Sequence, residues 1–200
     1  MVAPMAAPPA FTQPTTTRER LIAAAFRVVA REGLEAASVK AIAADAGLTP
    51  GLLHYHFPTK AALLEAVLRA ALANYLEVSR QRREATPADD QIAAYFRWAR
   101  ASLGVERDFF KVRLAFAAAA LTNPELAAVL RDLNAAAAGE TALMLAAARG
   151  ETTPTARDRE IGGLLKALTD GVMLSWLSDP DFPIDAAADD VEQAVLGWIA

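Results

Sequence analysis

The run from Ser38 to Lys60, SVKAIAADAGLTPGLLHYHFPTK, constrains this chain more tightly than any other segment. Ser38 is a good N-cap, because its hydroxyl accepts from a backbone N–H that a helix start leaves free. Val39, Ile42, Ala43 and Ala46 follow at i, i+3, i+4 and i+7, the spacing of one helical face. Gly47 then supplies the positive φ that lets the chain turn sharply. Thr49 caps a second short helix and Pro50 opens it, at a position whose N–H would go unused anyway. Leu53 and Phe57, four residues apart, share the inner side of that helix, which turns Gly51, Leu52, Tyr55 and His56 outward. Pro58 stops it.

The rest of the chain reads as helix throughout. Hydrophobic residues make up 54% of it, but 48 of the 200 residues are alanine, the best helix former and a poor strand former. No run alternates long enough to argue for a strand. The fold class expected is therefore all-α, with about nine helices. A first helix from Thr17 to Glu32 carries Ile22, Ala25, Phe26 and Val29 on one face and ends at Gly33. Beyond the motif, Thr59 caps a long fourth helix whose inner side holds Leu64, Val67, Leu68, Ala71, Leu72 and Tyr75. Further helices are expected over about 87–103, 106–121, 124–149, 155–177 and 186–199, the third of these softened around Gly139. Residues 1–16 read as a disordered leader, residues 17–64 as a three-helix N-terminal domain and residues 65–200 as a second helical domain.

Composition narrows the function classes. With no cysteine there is neither a disulfide nor a thiolate metal site, which fits a reducing cytoplasm. No uncharged apolar run approaches the roughly 20 residues needed to cross a bilayer, so a membrane role is not expected. The leader lacks the basic start of a signal peptide. Net charge is −4, yet residues 18–64 carry six basic and four acidic side chains, a balance of +2, and the remainder carries 14 and 20, a balance of −6. Only the front end is suited to approach phosphates.

Two short helices around a tight turn, one of them with a rigid inner side and a varied outer side, make a helix-turn-helix. The major groove of B-DNA admits one α-helix and displays base edges there. The interface expected comprises Ser38, Lys40, Thr49, Pro50, Gly51, Leu52, His54, Tyr55, His56 and Lys60. Gly51 permits close backbone approach, Tyr55 and His56 can donate to bases or phosphates, and Lys40 and Lys60 suit phosphate contact.

Residues 17–64 resemble the DNA-binding domain of the TetR family of bacterial transcriptional regulators. The resemblance rests on TRERLIAAAF, the Glu32–Gly33 pair, SVKAIAADAGLTPG, the HYHF block at His54–Phe57 and PTKAALL. It implies a variable helical C-terminal domain that dimerises and often holds a small effector, and hence a homodimeric, ligand-responsive repressor on a palindromic operator. Leu52 and His54 depart from the family pattern, where a small polar residue and tyrosine are commoner. Leucine at 52 can still meet a thymine methyl, and His54 can replace a phosphate-binding phenol.

Two further surfaces are expected in the second domain. Trp98, Phe109, Phe110, Arg113, Phe116, Met144 and Met173 are candidates for an effector pocket, although aromatic residues at helical spacing also serve as plain core. Arg113 suits an anionic effector, an acidic neighbour such as Asp108, or exposure to water. Ile161, Leu165, Leu168 and Val172 on one helix, and Val191, Val195 and Trp198 on the next, form apolar stripes that suit a dimer interface unless packing within the chain consumes them. His54 and His56 diverge by about 200° on a helix and cannot face one ion, so no metal or cofactor is expected. The rivals are a DNA-binding regulator without a small-molecule effector and a helical enzyme. The sequence holds no nucleophile motif, metal spacing or phosphate-binding glycine loop for the latter.

Overall fold

The computed structural model describes residues 13–103 and 107–199. Most of the expected leader, and Glu106 at the expected start of the sixth helix, lie outside the described residues. The described residues form nine α-helices and no strand: α1 (Thr17–Glu32), α2 (Val39–Asp45), α3 (Pro50–His56), α4 (Lys60–Ala85), α5 (Gln91–Leu103), α6 (Arg107–Ala120), α7 (Pro124–Ala148), α8 (Ala156–Ser178) and α9 (Ile184–Ile199).

Local chemistry fixes the ends. Thr16 caps α1 by accepting from the Glu19 N–H at 3.1 Å while the Glu19 carboxylate accepts from the Thr16 N–H, also at 3.1 Å. This reciprocal box satisfies two donors that a helix start leaves free. Gly33 adopts a φ of 83° just past the end of α1. α5 starts later than expected, because residues Ala88–Asp90 wind as a 3₁₀ turn. The buried Gln91 amide explains the offset, donating to the carbonyls of Arg83 and Thr86 at 2.8 and 2.7 Å and so anchoring the connection to the end of α4. α7 is continuous through Gly139.

The chain divides into two compact units, and neither is a continuous stretch of sequence. The first takes in the described residues up to Asn74 together with those from 107 to Leu133. The partition differs from a cut after residue 64 because α6 packs on α1. α1 is consequently buried on more than one side: Leu21, Ala23, Ala24 and Val28 join the expected Ile22, Ala25, Phe26 and Val29. Three successive alanines suit that position, since a small side chain lets neighbouring helices approach from several directions. Ile42, Leu53, Phe57, Leu63, Val67, Val112 and Phe116 complete the cluster.

The second unit takes in residues 75–103 and 134–199. Its core is Ile92, Tyr95 and Phe96 of α5, Met144 and Leu145 of α7, Ile161 and Leu165 of α8, and Val195 of α9. A Cβ at Gly162 would stand 2.5 Å from the Ala138 carbonyl oxygen, so this glycine is what lets α7 and α8 touch. Ion pairs tie the periphery: Arg83 with Glu140, Arg100 with Asp189 and Glu192, and Arg149 with Asp158.

This packing corrects part of the expected dimer surface. Ile161 and Leu165 are 1% exposed and Val195 is fully buried, so a partner chain has no access to them. Val191 and Trp198 pack against the same core. The stripe was consumed from within because α8 has neighbours in α7 and α9. Leu164 and Leu168, four apart and so on one face of α8, are exposed, as are Leu174 of α8 and Leu196 and Ile199 of α9.

The expected effector residues are divided between the units. Phe116 and Phe109 belong to the core cluster of the first unit, and Met144 is fully buried in that of the second. Phe116 lies four residues beyond the buried Val112 on α6, which places both on the side that packs against α1. Its packing is that of a core residue. Phe110 and Arg113 are half-buried in the first unit, and Met173 is buried and Trp98 half-buried in the second.

Candidate nucleic-acid interface

α2 and α3 are held by their inner faces and by an arginine network. Ile42 and Ala43 of α2 and Leu53 of α3 are fully buried, and Phe57 just past α3 is nearly so. Gly47 sits between them at a φ of 66°. Any side chain there would be strained, which is why the turn needs glycine. The Arg20 guanidinium donates to the Ala46 carbonyl at 2.8 Å, satisfying an acceptor that the end of α2 leaves free. Arg27 pairs with Asp45 at 2.6 Å and Arg31 reaches the same carboxylate at 3.3 Å. Three arginines of α1 therefore pin the far end of α2. Their spacing of seven and four residues, one face of a helix, is the only sequence signal of this role, and it is not distinct from that of a solvated face. Arg18 stands over the Phe57 ring at 5.0 Å and closes the other end.

With its inner side anchored, α3 shows the rest to solvent. Tyr55 is 82% exposed, a large apolar ring in water that the fold itself does not use. Its ring meets the His56 ring edge-on at 5.2 Å. His54, Gly51, Pro50 and Thr49 are exposed, and Leu52 and His56 are half-buried. Nothing lies within 4 Å of where a Cβ on Gly51 would be, so internal packing makes no demand for glycine there and the backbone is bare on that side. The Thr49 hydroxyl accepts from the Leu52 N–H at 3.3 Å, and the Ser38 hydroxyl accepts from the Ala41 N–H at 3.1 Å. Both are caps that keep a hydroxyl hydrogen for another acceptor.

The two lysines differ. Lys40 is exposed. Lys60 is half-buried and donates to the Leu34 carbonyl at 2.9 Å, across to the loop after α1. One of its three donors is thus committed to holding that loop, and its remaining donors are the ones available to a phosphate. A convex, polar and aromatic rod fixed on a rigid three-helix base is a helix-turn-helix reader of duplex DNA.

Comparison with known proteins agrees with that class. The family description "Bacterial regulatory proteins, tetR family" matches residues 21–67, and "BetI-type transcriptional repressor, C-terminal" matches residues 88–199. The chain belongs to the TetR family of transcriptional regulators. It is similar to the HTH-type transcriptional regulator UidR of Escherichia coli K12, 26% identical over 94% of this chain and 95% of UidR. Among solved structures it resembles a transcriptional regulator from Rhodococcus sp. Rha1, with a TM-score of 0.71 and 28% identity over 91% of this chain and 97% of that one. A transcriptional regulator from Saccharomonospora viridis, solved with choline, has the same fold, with a TM-score of 0.69 and 22% identity over 88% and 93% of the two chains. Among the described residues no helix is long and apolar enough to cross a membrane.

Proposed function

We propose that this regulator is a repressor that binds a palindromic operator as a homodimer in the cytoplasm, and that a small molecule taken up by the second unit releases it. The exposure of Tyr55 carries the DNA reading: a side chain that the fold leaves unburied on an otherwise anchored helix is one kept for a partner. Gly51, Leu52, His54, Tyr55 and His56 enter the major groove, and Ser38, Lys40, Thr49, Pro50 and Lys60 meet its edges and phosphates. Leu164 and Leu168, exposed on one face of α8, together with the exposed Leu174, Leu196 and Ile199, support dimerisation, because large apolar side chains left unburied fit a partner surface. Two recognition helices about 34–36 Å apart then read half-sites one turn of DNA apart.

Release follows if the effector prefers the state that binds DNA poorly, so that its binding shifts the population toward that state. The choline complex of the Saccharomonospora viridis protein supports a small ligand as the signal in a chain of this fold.

The test is selection of random-sequence DNA by the purified protein, followed by titration of the winning fragment against a scrambled one. A palindrome bound at two chains per duplex, with Tyr55→Ala losing affinity for the palindrome and not for the scrambled fragment, is the expected result. Equal loss on both DNAs, or one chain per site, overturns the reading.

A further inference from the structure

The second unit buries a cation that has no ion-pair partner among the described residues. Arg82 lies near the end of α4 and is 3% exposed. It stands over two rings of α5, with its guanidinium carbon 4.7 Å from the Trp98 centroid and 5.0 Å from that of Tyr95. Ring faces attract a cation, but they supply no lone pair to an N–H lying in the guanidinium plane. Among the described residues its Nη1 has no hydrogen-bond partner, and neither has the Trp98 Nε1 or the Ser102 Oγ, although all three atoms are buried. Tyr95, Trp98 and Ser102 follow one another at i, i+3 and i+7 on α5, and Tyr75, Ser79 and Arg82 at i, i+4 and i+7 on α4. Each set therefore shares one face of its helix. Tyr75 also lies against Trp98, centroid to centroid at 6.5 Å.

The neighbouring charges leave Arg82 in this state. Glu140 is already paired with Arg83. Burial pushes the Tyr75 phenol up, so this ring stays uncharged and does not neutralise Arg82. Burial pulls the Arg82 guanidinium down and outweighs the Coulombic pull of Tyr95, Tyr75 and Glu140 toward the charged form. A protein normally pairs such a group, because an unsatisfied buried donor is costly and a charged one more so.

The geometry points to an effector site for a small organic carboxylate, with the Arg82 fork holding the carboxylate, Trp98 Nε1 and Ser102 Oγ as further donors, and Tyr75, Tyr95 and Trp98 against its apolar body. This inference rests on the ligand-responsive reading above and names the class of ligand. A planar, bidentate acceptor matches a guanidinium edge, and its single negative charge matches a single unpaired cation. A quaternary ammonium ion is disfavoured, since the ring faces that would receive it are turned to Arg82.

The test uses the full chain, with benzoate and hexanoate as probes, benzamide as the neutral counterpart of benzoate, choline as the cation and inorganic phosphate as the bare anion. Thermal shift and calorimetry at constant ionic strength read binding, because a ligand of the folded state raises its melting temperature. Expected is a dose-dependent shift with a carboxylate and none with benzamide, choline or phosphate, at least about a tenfold weakening in Arg82→Met, and a smaller one in Arg82→Lys, which keeps the charge and loses the fork. Trp98→Phe keeps a ring, lacks the Nε1 donor and is expected to bind several-fold more weakly, which preserves the test should Arg82→Met misfold. No shift with either carboxylate, a shift from phosphate alone, or equal binding by Arg82→Met overturns the inference. Should choline or benzamide alone bind and release the operator fragment, the regulator stays ligand-responsive and the carboxylate assignment falls. Should a carboxylate bind through Arg82 without altering operator affinity, the site stands and the regulatory reading falls.

Discussion

Asp158 offers the sharpest quantitative prediction. It is the N3 residue of α8, where its carboxylate accepts from the Thr155 N–H at 2.6 Å and from the Thr155 hydroxyl at 2.8 Å. The same carboxylate receives two N–H groups of Arg149, at 2.7 and 2.6 Å, and its side chain is 2% exposed. The Arg149 guanidinium, followed by the Thr155 backbone and hydroxyl, holds the Asp158 carboxyl at about 2, below the usual carboxylate value. The folded chain therefore binds fewer protons than the unfolded chain between about pH 4 and pH 2, and stability rises with pH across that window. The contribution is complete above the ordinary carboxylate pKa and is lost as pH falls through the folded value. A shift approaching two units corresponds to an upper bound of about 2.5 kcal/mol. Arg149 is 42% exposed, so water screens part of this, and about 1–2 kcal/mol is the realistic share. Asp158→Asn keeps an oxygen for the cap and removes the charge. At neutral pH it is expected to melt roughly 2–8 °C below wild type, from about 2–4 °C per kcal/mol in a chain of this length. Melting profiles taken from pH 7 to pH 2 should draw together toward the acid end, where the wild-type carboxyl becomes about half protonated near pH 2. Parallel profiles over that range, or equal melting at neutral pH, refute the linkage.

Other outcomes follow from the same geometry. Leu53→Ala removes a fully buried anchor of α3 and should cost about 2–5 kcal/mol in denaturant unfolding, together with operator binding. Lys40→Ala should weaken binding to all DNA sequences and reduce the slope of log affinity against log salt by about 0.9, read by anisotropy at several salt concentrations. Leu164→Glu with Leu168→Glu places charges on the exposed apolar pair of α8 and should convert a dimer to monomer in light scattering, with the helical circular dichroism unchanged.

The helices were legible because their punctuation is local. Thr49–Pro50, Gly47, Pro58 and Thr155 act on residues within one turn of themselves, and the end of α2, both ends of α3 and the start of α8 fall where those signals put them. What was not legible depends on which helices meet. The stripe on α8 reads identically whether it faces a partner chain or α7 and α9, and only the fold sends Ile161 and Leu165 inward while leaving Leu164 and Leu168 outside. Phe116 suits either core or pocket wall in the sequence for the same reason, since nothing in its neighbourhood announces that α6 packs on α1. Arg82 was hidden by composition: in SRQRREA it reads as one of a solvated charge run, although Tyr75, Ser79 and Arg82 continue the buried stripe of α4 by four and then three residues.

The helix-turn-helix separates two demands that would conflict on a single face. Leu53 and Phe57 fix where α3 lies, and Arg20, Arg27 and Arg31 fix α2 against α1 without using any residue on the outer side of α3. Tyr55, at 82% exposure, loses almost no buried area when truncated. Surface changes of that kind usually lie within about 0.5 kcal/mol of neutral. Substitutions at Gly51, Tyr55 and His54 should therefore alter the sequence that is read while leaving the melting temperature nearly unchanged. The inner anchors should behave in the opposite way, losing stability and DNA binding together. A Tyr55→Ala protein that melted several degrees below wild type would show that the ring supports the fold, and the division between scaffold and reader would not hold.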